Sequence, residues 1–306
     1  MHRIVRILTC LLLVSMSFCS AAGDPLPSWN EGCVKKRLIA FVEESSDPKS
    51  QRFIPIESRI ATFDQDGTLW VEKPFYAQLA FSLDTVADHP EWNENWTLQD
   101  IEKVINAAHS GMSVTEFQQK VQNWLATAKH PRFKRPYTEL VYQPMLELID
   151  YLRKNDYKIY ITSGGGQEFI RVYSEKVYGI PIDRVIGTAG KLQYTKVNSK
   201  PELMKLPELL FLDDKSGKPE AIQLFIGKRP VAAFGNSDGD REMLEWSQTL
   251  NNSLQLLIHH DDAEREYAYD TDSKIGRFST ALKEEALKNN WLIISMKKDW
   301  NRIFPK

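Results

Sequence analysis

Arg59-Ile60-Ala61-Thr62-Phe63-Asp64-Gln65-Asp66-Gly67-Thr68-Leu69-Trp70 is the stretch on which the fold reading turns. Its first part, residues 60–63, is apolar and rich in β-forming side chains, as a buried strand would be. It then becomes acidic, and Gly67 permits a sharp turn. Carboxyls at the carboxyl end of a strand sit where open α/β sheets keep their chemistry. So close together they repel, which calls for a cation between them or a proton on one of them. Mg2+ suits such oxygen ligands. The plainer alternative is a strand that simply runs into an acidic turn.

Around this stretch the chain has 306 residues, 42% hydrophobic and 26% charged. That is the composition of an ordinary globular protein with room for a sizeable core. A formal net charge of -2 leaves no bulk attraction to nucleic acid or to an anionic membrane. No repeat or low-complexity tract is visible. Residues 1–22 read as a signal peptide. Arg3 and Arg6 begin it, residues 7–18 are apolar, and Ser20-Ala21-Ala22 supplies small residues for cleavage. The apolar run falls short of the ~20 residues a membrane-spanning helix needs. A periplasmic or secreted protein is expected. Lipidation at Cys19 is the alternative, disfavoured by the bulky Phe18 before it. Cleavage would remove Cys10 and Cys19, leaving Cys33 without a disulfide partner. A lone cysteine is more commonly a buried small hydrophobe than an exposed thiol.

Residues 24–30, with Pro25 and Pro27, form an extended lead-in, and residues 35–44 show helical apolar spacing. After Glu72 the pattern becomes polar and helical. Thr97-Leu98-Gln99-Asp100 resembles a capping arrangement ahead of the Ile101, Val104 and Ile105 stripe, and Gly111 ends that helix. Ser113-Val114-Thr115-Glu116 is a capping box ahead of Phe117, Val121, Trp124 and Leu125. Residues 73–140 are therefore expected to be an inserted helical cap, with Trp92, Trp96 and Trp124 as packing.

Strict alternation follows. Residues 144–154 read as helix, 157–162 as strand, 163–166 as turn and 168–178 as helix. Residues 230–234 and 254–258 are further strands. Ser279 caps a helix to about residue 289, and residues 291–296 are a last apolar run. This predicts an α/β fold with a Rossmann-like parallel sheet and helices on both faces. Residues 23–72 and 141–306 would form that core.

Three more stretches carry chemistry. Thr162-Ser163-Gly164-Gly165-Gly166 puts a hydroxyl and exposed backbone N–H groups between a strand and a helix, an anion cradle or a tight turn. Lys215-Ser216-Gly217-Lys218-Pro219 has Pro219 suited to the first helical position, placing Lys218 at the helix entrance with Lys215 as its rival. Phe234-Gly235-Asn236-Ser237-Asp238-Gly239-Asp240 is a second strand running into an acidic, glycine-broken turn.

In this order the four stretches resemble the haloacid dehalogenase-like hydrolase superfamily, in its phosphatase branch. The helical insertion after the first stretch looks like that family's cap in its place, and Ser163-Gly164-Gly165 looks most like phosphoserine-phosphatase-type relatives. The resemblance implies a Mg2+-dependent phosphomonoesterase acting on small phosphate esters. Asp64 would be the nucleophile, and Asp66 the general acid and base. Ser163, Gly164, Thr68 and Lys218 would bind phosphate, while Asp64, Asp66, Asn236 and Asp240 would surround the metal. Glu72 lies near where amino-acid-phosphate relatives place a carboxylate for the substrate amine. One departure stands out: the family usually has Asp where this chain has Asn236, so a metal-ligating charge is missing and Asp238 is an extra carboxylate.

Other readings remain. A dehalogenase would use Asp64 on carbon and needs no acid at Asp66. A phosphomutase would share the site. A secreted binding protein would have a broken one. Trp70 could pack at the cap entrance or in the core, and His259-His260-Asp261-Asp262 is expected in a surface loop.

Overall fold

The computed structural model describes residues 23–86, 96–248 and 252–306. The expected leader, Cys10, Cys19 and Trp92 lie outside these residues.

Helix α1 (Cys33–Ser46) leads into strand β1 (Ile60–Phe63). The insertion contributes α2 (Ala77–Thr85), α3 (Leu98–His109) and α4 (Val114–Thr127). Capping boxes open α3 and α4 as their sequences predict: Thr97 with Asp100, and Ser113 with Glu116. Then come α5 (Gln143–Lys154), β2 (Lys158–Gly166), α6 (Gln167–Arg171), α7 (Ser174–Tyr178), β3 (Val185–Val197) and β4 (Lys200–Phe211). The chain closes with α8 (Gly217–Phe225), β5 (Ala232–Gly235), α9 (Arg241–Ser247), β6 (Leu254–His259), α10 (Thr280–Lys288), β7 (Leu292–Ser295) and α11 (Met296–Asp299).

The strands form one sheet in the order β4-β3-β2-β1-β5-β6-β7. All neighbours run parallel except β3 and β4. Strand alternation explains the double winding. Ala232, Phe234, Leu256, Ile258, Leu292 and Ile294 join a core with Leu38 and Val42 of α1 and Leu148 and Ile149 of α5. Their neighbours Ala233, Leu257 and Ile293 face the other way, onto Ile222 of α8, Leu244 of α9 and Leu282 of α10. Phe81, Phe117 and Trp124 of the insertion belong to the first of these cores, so the inserted helices share packing with the sheet.

Several expectations change. Residues 163–166 continue β2 in place of a turn, and the helix expected at 168–178 is split into α6 and α7. Cys33 is exposed, not buried. The β3–β4 hairpin has no counterpart among the elements expected from the sequence. It turns on Asn198 and Ser199, both at positive φ (50° and 65°), and its edge strand carries Pro201 and Pro207. The hairpin leans on the insertion, with Gly111 N–H donating to the Lys205 carbonyl and Lys205 N–H to that of Met112, both at 2.9 Å.

Candidate active site

Strands β1 and β5 are neighbours, so the acidic turns that follow them leave the same rim of the sheet side by side. Asp64 Oδ1 lies 2.7 Å from Lys218 Nζ, and the same ammonium lies 2.5 Å from Asp240 Oδ1. Lys218 sits in the first turn of α8 and is buried. Burial works against its charge, but Asp240, Asp64 and Asp213 outweigh it and hold the ammonium above the ordinary lysine range. Lys215 is exposed, which removes it as the rival. Asp240 Oδ2 accepts from the Asn236 and Ser237 N–H groups at 2.9 and 3.1 Å. Both its oxygens are thus occupied, so Asp240 shapes the turn and anchors Lys218, in contrast to the open metal ligand expected from sequence.

Asp66 Oδ1 accepts from the Trp70 indole N–H at 2.7 Å. Trp70 is buried and stacks on Tyr173 with 4.6 Å between ring centroids. Burial pushes Asp66 up to about 6, against the opposing pull of the Trp70 hydrogen bond and Lys218. A Cβ at Gly165 would stand 3.3 Å from Ser163 Oγ and 3.5 Å from Asp66 Oδ2, so both groups converge on that backbone. Ser163 Oγ accepts from Gly165 N–H at 3.1 Å, and Gly166 N–H donates to Gln78 Oε1 of α2 at 2.6 Å. Gly164 is exposed beside them.

Asp213 is a site group that sequence reasoning missed. It is fully buried, and its Oδ2 accepts from Ser163 N–H at 3.0 Å while Oδ1 has no partner. The signal was present: Phe211-Leu212-Asp213-Asp214 repeats the apolar-to-acid switch of the other stretches. Burial raises Asp213 to about 7, against the pull of Lys218 and the Ser163 hydrogen bond. A carboxyl whose folded value is raised keeps a proton the unfolded chain has released. It therefore costs stability as pH rises from about 4 through 7. Asp213→Asn should flatten that slope, removing about 2 kcal/mol of stability difference between pH 5 and 7.5. Denaturant unfolding of both proteins in EDTA measures this, and equal slopes would show that Asp213 is not the titrating group.

Asn236 is buried, with Oδ1 accepting from the Thr68 hydroxyl at 3.1 Å and Nδ2 donating to Glu72 Oε1 at 2.8 Å. Thr68 therefore faces Asn236 from within the core, not an open phosphate cradle as expected. Glu72 is 2% exposed and also accepts from Tyr269 OH at 2.6 Å. A buried carboxylate so occupied is poorly placed for the substrate amine that the sequence suggested. Asp238 Oδ1 accepts from Ser279 N–H at 3.1 Å, at the entrance to α10, and so does not stand in for the missing acid.

The expected surface loop at 259–262 is also corrected. His260 and Asp262 are buried. His260 Nε2 meets the Gly67 carbonyl at 2.7 Å and Nδ1 meets Glu266 at 3.1 Å. The neutral ring can donate one N–H and accept at the other nitrogen; a carbonyl only accepts, so the proton belongs on Nε2 unless both nitrogens carry one. The imidazole thus braces the turn after Asp66. Its place just past β6, on the rim used by β1 and β5, was the available clue.

The donor set suits a hard cation, with a carboxylate from Asp64, the Asp66 carbonyl and the Asn236 amide oxygen. The charge balance agrees. Burial raises Asp64, Asp66, Glu72 and Asp213 alike, and repulsion from neighbouring carboxyls adds to it at Asp64, Glu72 and Asp213. Lys218 bridges only Asp64 and Asp240. Among the described residues no three His, Cys, Asp or Glu side chains cluster to hold a metal, so such a site depends on the amide and main-chain oxygens. A cavity of about 290 Å³ lined by Arg37, Phe41, Arg52 and Leu254 lies at the opposite end of the strands and contains none of these groups.

The model of the haloacid dehalogenase-like hydrolases matches residues 61–245, more than half of the chain and all four acidic or basic stretches. The chain belongs to this family. Solved structures are similar to it, the first two sharing its fold. A functionally unknown protein from Anaerococcus prevotii matches at TM-score 0.58 and 14% identity, covering 89% of this chain and 94% of its own. Another protein of unknown function, from Bordetella pertussis, matches at 0.50 and 10%, covering 78% and 98%. A phosphoserine phosphohydrolase-like protein from Francisella tularensis matches at 0.41 and 14%, covering 79% and 95%. No curated protein matches the chain. As a family member the protein is a hydrolase with a Rossmann-like α/β core, and no described helix is long and apolar enough to cross a membrane.

Proposed function

We propose that the chain is a Mg2+-dependent phosphomonoesterase that hydrolyses small phosphate esters through an aspartyl-phosphate on Asp64. The observation that carries this reading is the pairing of Asp64 with Lys218 at 2.7 Å beside a second carboxyl, Asp66, that shares the Gly165 backbone with Ser163. A dehalogenase needs no acid at the Asp66 position.

Asp64, Asp66 and Asn236 would hold the cation, which when bound screens the negative charge of the phosphate. Lys218 and the Ser163 hydroxyl would add to that screening. An Asp64 oxygen attacks phosphorus as the ester P–O bond breaks, and Asp66 passes its proton to the departing alkoxide. Asp66, now ionised, takes a proton from water. The oxygen of that water attacks the phosphoryl group, releasing phosphate and restoring Asp64. The insertion at 73–140 would act as a cap, with Gln78 already bonded to the Gly166 cradle. With the leader cleaved, the enzyme would work in the periplasm or outside the cell.

Purified protein should hydrolyse p-nitrophenyl phosphate with Mg2+ and stop in EDTA. Metal-independent release of chloride from chloroacetate, with no phosphatase activity, would replace this reading with a dehalogenase.

A further inference from the structure

Resting on the phosphomonoesterase reading above, we infer that the substrate carries a second anionic group, a carboxylate or another phosphate, which pairs with the Lys205 ammonium at the seam between the hairpin and the insertion. Strand β4 inverts the usual pattern. Leu203, Leu209 and Leu210 are 45%, 60% and 67% exposed, whereas Lys205 is 7% exposed. Burying an ammonium is costly unless an anion meets it. Among the described residues its Nζ makes no hydrogen bond and no ion pair, and it rests 4.5 Å from the centre of the Phe117 ring. Unlike the partnerless and enclosed Tyr173 hydroxyl, this ammonium keeps an opening to solvent. Its backbone is pinned on both sides, to Gly111 and Met112 of the insertion, so the side chain starts from a fixed place.

The groups around it do not answer its charge. Glu168 is the carboxylate that acts on it, but Oε1 already accepts from Arg171 at 2.8 Å and Oε2 from Gln118 at 3.1 Å. His109, packed on the Phe117 ring, is pushed down to about 3 by burial and by Lys205, so it stays neutral. Burial also pulls Lys205 below the ordinary lysine range, against Glu168, and an arriving anion favours its charged form. The ammonium shares its seam with the phosphate cradle. Gly166 is level with Thr188 of β3, and Lys205 faces Leu192, four residues farther along that strand, roughly 13 Å away. Phe117 packs on Phe81 of α2, the helix whose Gln78 bonds Gly166. Gln118 reaches Glu168, two residues past Gly166. A phosphate at Ser163 and an anion at Lys205 therefore suit the two ends of one extended molecule.

Straight-chain alkyl phosphates of increasing length test the inference, each compared with esters of equal length that end in a carboxylate or in a second phosphate. At the matching length one of the two anionic series should exceed the plain ester in kcat/KM by at least about tenfold, chiefly through KM. The series that gains more distinguishes carboxylate from phosphate. Lys205→Met keeps the packing on Phe117 without the charge, and should cut that ratio by at least about fivefold. Lys205→Arg should hold the ratio within about threefold of wild type. Each ratio is taken within one protein, so a merely structural lysine would not move it, and Lys205→Gln replaces the Met variant if that fails to fold. No gain for either anionic series at any length, or a wild-type ratio in the uncharged variant, would overturn the inference and leave the phosphatase reading standing. No hydrolysis of any of these esters or of p-nitrophenyl phosphate by wild type would overturn that reading and the inference with it.

Discussion

Asp64→Asn should lose p-nitrophenyl phosphate turnover by at least about 10,000-fold while folding normally. The substitution keeps the side chain's shape but removes its nucleophilic charge. An aspartate attacks through its own anionic oxygen without a separate base, so no neighbouring group can activate the amide in its place. Phosphate monoesters hydrolyse so slowly in water that losing the covalent route cannot be offset by the remaining electrostatics. Lys218 would keep its 2.5 Å contact to Asp240, so the loop should hold together. Steady-state kinetics with a matched melting curve decide the matter, and activity within tenfold of wild type would remove Asp64 from the reaction.

Lys218→Met should damage both fold and turnover. The ammonium is buried between Asp64 and Asp240, and its loss leaves two enclosed carboxylates facing each other. Removing one partner from such a buried set costs about 3–5 kcal/mol. The cost should shrink as pH falls, because protonating either acid relieves the repulsion. Turnover should drop by about 100- to 1,000-fold, the typical effect of losing one charge-stabilising donor. Urea unfolding at pH 5 and pH 7.5, alongside kinetics, separates the two effects. A variant as stable as wild type at both pH values would mean that Lys218 is not the clamp the geometry describes.

The core was legible because its signals are local. Residues 60–63 and 254–258 are short apolar runs, and each closes on polar residues at the rim where β1 and β6 end. The capping boxes at Thr97 and Ser113 could be read directly, since their partners lie three residues away. The hairpin at 185–211 was hidden because Asn198-Ser199 is a weak form of its turn and Pro201 and Pro207 argue against a strand. Among site residues, Asp64, Asp66, Ser163, Lys218 and Asn236 could be found by position in their stretches. Gln78, Tyr269 and Glu266 could not, because they arrive from distant segments and their partners are set only by packing. Glu72 and Asp240 stand out by position, but side-chain partners such as Tyr269 and Lys218 are long-range and cannot be read from spacing.

The most direct test of the central claim is to trap the phosphorylated protein. Wild type mixed with radiolabelled p-nitrophenyl phosphate and Mg2+, then quenched in acid, should carry a hydroxylamine-labile label on the peptide containing Asp64, and Asp64→Asn should carry none. An active wild-type enzyme with no bound label, or with label on a different peptide, would contradict the account.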